Sequence, residues 1–267
     1  MMNTDGPYSH LEADDEENYF VSMTDMMVGM LFIFILMLMY YALQVRIIVD
    51  GATSTQDTRV QIIKDIVKEV RAGGVEVEED AANGIIRLKN NVVFGSGESD
   101  VSPTGVNALN ILAAAILQHT QCHVFTPGDG PAPGVCRGRR HVIDAIFVEG
   151  HTDSDPIRTA RLSDNWDLSV ARSTNTYRVM MDAEPALRLM RNAPLNMPNS
   201  ESVMSVAGYA AERPVVGGDT EEAKALNRRI DIRITMRPPE APRLVAQPAV
   251  ERMATDIAND LPAGGSR

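Results

Sequence analysis

A chain of 267 residues with a formal net charge of −11 and two cysteines lacks the basic face that nucleic-acid binding needs, so no nucleic-acid partner is expected. Two cysteines are too few for a disulfide scaffold or a cysteine zinc site, and no basic run suits anionic lipid.

Residues 1–18 form an acidic tail with six Asp or Glu and no Lys or Arg, a composition that predicts disorder in isolation. Residues 19–45 contain VSMTDMMVGMLFIFILMLMYYALQV, which carries no charge from Met26 to Leu43. About 20 apolar residues cross a bilayer as a helix, the form in which one segment satisfies its own backbone in lipid. The acidic start and the exit Tyr40-Tyr41-Ala42-Leu43-Gln44-Val45-Arg46 argue against a cleaved signal peptide, and Tyr40 and Tyr41 are placed to anchor at the interface. One acid, Asp25, stands at the mouth of the span. It either caps a helix at headgroup level, with Thr24 as the alternative cap, or carries an ion within the hydrocarbon edge, where acids are expensive and tend to be functional. Flanking charge does not settle the orientation, because acidic residues count little in the positive-inside rule.

Residues 46–74 form the next segment. DGATSTQD, from Asp50 to Asp57, reads as a break. TRVQIIKDIVKEVR then places Val60, Ile63, Val67 and Val70 at helical spacing, an amphipathic helix that packs on its own domain or on a second copy. Gly73 and Gly74 end it. Residues 75–236 form the globular domain, beginning with a hairpin from Val75 to Leu88 that turns at Asn83 and Gly84. Ser102 and Pro103 start a helix, and Val142 to Val148 is an apolar strand. A helix follows from about Trp166 to Met181, then a turn in Ala186–Arg191, a strand at Val203–Ala207, a helix at Glu221–Arg229 and a strand at Ile230–Met236. The order β-β-α-β-α-β-α-β predicts an α/β fold, a mixed sheet with helices on one face, behind a single N-terminal transmembrane helix. Residues 237–267 form a proline-rich tail, with a short helix expected from Glu251 to Leu261.

Cys122 and Cys136 flank a Gly- and Pro-rich insertion. Outside the cytoplasm they would close it as a disulfide, and otherwise they are two buried thiols. Glu149-Gly150-His151-Thr152-Asp153 leaves the apolar strand, and Asn165-Trp166-Asp167-Leu168 opens the next helix, with Arg172 two turns further along it. An Asp and an Arg facing one pocket suit a zwitterion; the plainer explanation is an internal Asp153–Arg172 salt bridge. No nucleophile elbow accompanies His151, and His10, His119, His123 and His141 show no metal-ligand spacing. Neither an enzyme nor a metal site is expected.

GHTD followed by NWDLSVAR resembles the peptidoglycan-binding domain shared by OmpA and the MotB stator proteins. The spacer with Pro156 and Ile157 resembles the MotB branch, and Val206 to Tyr209, Arg213-Pro214 and Asn227 to Ile232 match the family's closing loop and strand. The likeness covers residues 75–236, with departures at Ser173, at Ala210 and in the cysteine-flanked insertion. The resemblance implies that Asp153 and Arg172 hold the diaminopimelate of a wall peptide, with Asn165, Trp166 and Leu168 lining the site. It places residues 1–18 in the cytoplasm, the span in the inner membrane and the domain in the periplasm. It makes Asp25 the ion-translocating acid of a homodimer within a multi-span A-subunit partner, MotA/ZorA-like and pentameric. The carried ion is H+, with Na+ as the alternative, and no cofactor is implied. The acidic start and SMTDMMVGMLFIFILML look more like the B subunit of the Zorya anti-phage systems than a flagellar stator. A flagellar MotB-type stator and a static wall tether are the alternatives.

Overall fold

The computed structural model describes residues 9–95, 97–127, 136, 141–159 and 161–238, with side chains of the first helix described from Met23 onward. The chain divides into two compact units, with the boundary between Gly51 and Ala52. The proline-rich tail from residue 239 and its expected helix lie outside the described residues.

The first helix, α1, runs from Ser9 to Ala72. It therefore starts well before the expected Tyr19 and takes up most of the acidic tail. It also passes without interruption through Asp50–Asp57, where a break was expected. One glycine, Gly51, costs a helix only about 1 kcal/mol relative to alanine, and burial of Thr55, Ile62, Ile63, Ile66, Val67 and Val70 in the second unit holds the turns beyond it. The amphipathic stripe thus packs on its own domain. In the first unit the side chains from Met23 to Leu43 are all exposed. This stretch is long and apolar enough to cross a membrane, and an apolar surface all round a helix calls for lipid or other helices to cover it.

The second unit is built on a five-stranded mixed sheet. Its strands are β1 (Glu78–Asp80), β2 (Ile85–Lys89), β3 (Ile143–His151), β4 (Met204–Gly208) and β5 (Arg229–Met236), in the order β1-β2-β5-β3-β4. Only β3 and β4 pair in parallel; the other pairs are antiparallel. The helices are α2 (Asn90–Val93), α3 (Pro103–Thr120), α4 (Asn165–Ala183) and α5 (Glu221–Asn227). Helix α4 makes the crossover that a parallel β3–β4 pair requires. The order of the longer elements is the one the sequence predicts; the single turn α2 is additional.

Period-2 alternation sorts the sheet. Ile86, Leu88, Ile146, Val148, Ile230, Ile232 and Ile234 join α1, α3 and α4 in one core. Arg87, Glu149, His151, Asp231 and Arg233 alternate with them and form a charged cluster of their own. A register shift between Ile143 and Ala145 breaks the parity of β3, so Ile143 and Ile146 are both buried. Gly84 turns the β1–β2 hairpin with φ at +74°, a conformation glycine adopts without penalty. Val75 and Val77 are buried as their alternation implies, yet strand pairing begins only at Glu78, opposite Arg87.

Candidate functional site

Strands β3 and β5 pair as far as His151 opposite Arg229. The ladder ends there, and the next residues on each strand, Thr152-Asp153 and Arg228, splay into a cavity of about 860 Å³. Arg228 donates from Nη1 to Asp153 Oδ2 at 2.5 Å. Helix α4 begins beside them. Asp164 caps it by accepting from the Trp166 and Asp167 amides. The Asn165 side-chain amide donates to the carbonyls of Asp153 and Asp155, at 3.2 and 2.9 Å, so it fixes the loop that carries the acid. Leu168 and Arg172 follow on the same side of α4 and line the cavity.

Arg172 is 2% exposed. Its Nε donates to the Glu98 carbonyl at 2.9 Å, and its guanidinium lies 5.2 Å from the centroid of the Phe94 ring. Burial lowers its pKa to about 10; attraction to Asp153 opposes this, and repulsion from Arg228 adds to it. It remains a cation at neutral pH. Among the described residues Arg172 forms no ion pair, so the internal Asp153–Arg172 bridge is replaced by Asp153–Arg228. Two guanidinium groups thus face one carboxylate, a local excess of one positive charge in a lining that also holds Lys89, Asp155, Glu221 and Glu222. At the rim, Asp155 pairs with Lys224 at 2.7 Å, a hydrogen bond that holds the lysine pKa up, and Glu221 and Glu222 also line the opening.

Asp153, Asn165, Leu168 and Arg172 are therefore brought together around one cavity. Trp166 is not: it is 49% exposed and absent from the lining. One step from Asn165 turns a helical side chain by about 100°, which carries Trp166 away from the cavity. Sequence reasoning did not assign Lys89, Phe94 or Arg228 to the site. The only signal for Arg228 was its place in the Asn227-Arg228-Arg229 run.

His151 is 1% exposed and does not line the cavity. It lies 3.7 Å from Asp231 and stacks on Tyr209. Burial, then the nearby Arg229 charge, lowers its pKa to about 4. Glu149, His151 and Asp231 lie close enough together to suggest a metal site. However, both Glu149 oxygens accept from Arg233, at 2.9 Å each, and Asp231 accepts from Arg87 and Arg229, at 3.0 Å each. A divalent cation would have to displace three guanidinium groups, so both carboxylates are already committed to arginines, while the two His151 ring nitrogens are buried without a hydrogen-bond partner.

Asp25 lies inside α1, well past its first residue, and therefore does not cap the helix; nor does Thr24. Cys122 and Cys136 are joined as a disulfide, with Cα atoms 5.4 Å apart. Most of the insertion they bound lies outside the described residues.

No family model matches the chain. It is similar to Motility protein B of Bacillus subtilis, 32% identical over 92 residues, a match that covers 34% of this chain and only 30% of that protein. It is also similar to Zorya protein ZorB of Escherichia coli, 20% identical over 236 residues, covering 84% of this chain and 90% of that protein. Among solved structures, a MotB-like protein from Desulfovibrio vulgaris matches 70% of this chain and 99% of its own, with a TM-score of 0.49 and 18% identity. The chain itself carries an N-terminal apolar helix followed by a mixed α/β unit.

Proposed function

We propose that this chain is the B subunit of an ion-driven inner-membrane rotary motor that is anchored to peptidoglycan and serves anti-phage defence. The observation that carries the reading is Asp25, an acid of α1 that stands immediately before an uncharged, exposed apolar stretch. Ionisable residues within membrane spans are rare and tend to be functional, and an anchor has no need of one. Similarity over 90% of ZorB supports the defence role. For the anchoring half, support comes from Arg172 and Arg228, which offer a carboxylate an excess cation, and from Asp153, which offers an ammonium a partner. Together they suit the zwitterionic end of diaminopimelate.

In this reading the N-terminus is cytoplasmic and the second unit periplasmic. Two copies place two Asp25 side chains inside a pentamer of a multi-span partner. A proton from the periplasm neutralises Asp25 and is released to the cytoplasm. Each charge moved yields about 2.3 kcal/mol per 100 mV. Alternation between the charged and neutral acid biases the surrounding helices between two contacts, while the wall-bound unit holds the B dimer still.

The test is Asp25→Asn. Phage protection is expected to disappear with complex assembly intact, and retained protection would refute the carrier role. If the chain is only a tether, Asp25→Ala is silent whereas Asp153→Ala and Arg172→Ala are not. The match to Motility protein B favours a flagellar stator as the second reading, and complementation of a motility-deficient strain separates it from defence.

A further inference from the structure

Arg228 and Arg229 are adjacent but do different things. Arg228 lines the cavity and is one-third exposed, and its side-chain hydrogen bond goes to Asp153. Arg229 is 5% exposed and does not touch the cavity. Its Nε donates to Asp231 Oδ2 at 3.0 Å, its Nη1 to the Asn227 carbonyl at 3.2 Å and its Nη2 to the Arg213 carbonyl at 3.1 Å. One guanidinium therefore joins β5, the residue before Arg228, and the loop after β4. Asn227 secures that loop as well: its Oδ1 accepts from the Val215 and Val216 amides, and its Nδ2 donates to the Val216 carbonyl. Asp231, 1% exposed, is held in turn by Arg87 of β2.

We propose that Arg229 is the positioning residue of the wall-peptide pocket: it fixes the backbone on both sides of Arg228 and so places that guanidinium against Asp153. The consequence for the ligand rests on the peptidoglycan reading above. With Arg228 in place, the inner end of the pocket carries Arg172 and Arg228 against Asp153, an excess of one positive charge that selects a free carboxylate over its amide. A lysine at position 229 keeps the charge but not the planar fork that reaches three acceptors at once.

The test uses the full chain in lipid nanodiscs, as wild type, R229K, R228Q and the double variant. The probes are the tripeptide L-Ala-γ-D-Glu-meso-diaminopimelate and the same tripeptide with its diaminopimelate carboxylate amidated. Wild type is expected to prefer the free acid by about tenfold or more, the range of a hydrogen bond to a charged group. R229K and R228Q should each remove most of that preference, and the double variant should bind no worse than R228Q alone, because residues acting through one contact are not additive. In the ligand-free chain, the Arg228 Nη1 protons, which bond Asp153, are expected to give a resolved resonance in wild type that broadens in R229K. If R229K does not fold, Asp231→Asn, which loosens the same guanidinium, takes its place. Additive losses, or an unchanged Arg228 resonance in a folded variant, overturn the proposal. If wild type binds neither tripeptide, the ligand reading falls, and the Arg228 resonance still decides the role of Arg229.

Discussion

Arg172 and His151 are both buried and both have lowered pKa values, yet only Arg172 keeps its charge, and the two make opposite predictions. A buried cation that forms no ion pair of its own lowers stability, and replacing such a group with an apolar one of similar length is often neutral or stabilising. Arg172→Met, resting against Phe94, should therefore leave the melting temperature unchanged or raise it. Binding of a wall tripeptide should fall by at least about thirtyfold, the loss expected when a buried charged contact is truncated. A large loss of stability with binding intact would show that Arg172 is structural. His151 acts through the unfolded chain, where its pKa is about 6.5. Between pH 6.5 and about 4 the unfolded chain takes up a proton that the folded chain refuses. Stability therefore falls as pH drops through this window, by about 3 kcal/mol in total, and owes nothing to this group's titration above it. Urea midpoints at pH 7 and pH 4.5 should differ less in His151→Gln than in wild type; equal differences would remove His151 from the acid response. Asp153 and Arg172 were legible in the sequence because each sits in a short local motif. The partnership of Asp153 with Arg228 was not, because the two are 75 residues apart and meet only because β5 lies beside β3.

The elements set those positions, and α1 and β3 carry most of that load. Ile63 and Ile66 of α1 are fully buried in the second unit, so Ile63→Ala should destabilise that unit by about 2–5 kcal/mol. Met26→Ala, on the exposed apolar stretch, should leave its unfolding midpoint unchanged. Strand β3 approaches α4 so closely that a Cβ at Gly150 would lie 2.1 Å from the Ser169 carbonyl oxygen. Gly150→Ala must push α4 away, and with it Asn165 and Arg172, so wall binding should weaken together with stability, whereas Ile63→Ala should cost stability alone. Most elements were readable because hydrophobic period announces them: 3.6 along the second half of α1, 2 along β5. Two misjudgements have a common cause. Asp50–Asp57 looked like a break and Val75–Val77 like a strand because local composition says so. In the fold, burial of Thr55 and the residues beyond it keeps the helix going, and the hairpin turn at Gly84 decides that pairing starts at Glu78.

At the scale of the whole molecule, the wall reading and the ion reading share one requirement: the N-terminus and the second unit must lie on opposite sides of the membrane. The Cys122–Cys136 bond makes that requirement measurable. Disulfides persist in oxidising compartments and are rare where glutathione keeps thiols reduced. The loop closed here is short, and the chain-entropy model assigns about 3 kcal/mol to closing one of about 15 residues. For a unit of this size that corresponds to a fall in melting temperature on the order of 10 °C when the bond is absent. Chain taken from cells with its thiols trapped in acid should therefore be fully oxidised. Cys122→Ser and Cys136→Ser should each lower the melting temperature by the same amount as reductant does in wild type, and the double variant no further. The same chain lacking residues 1–45, and so retained in the cytoplasm with its core turns of α1 intact, should be recovered reduced. Wild type recovered with two free thiols would place the second unit on the cytoplasmic side. The cavity around Arg172 would then never meet the wall, and Asp25 would stand at the wrong end of the span to release a proton inward.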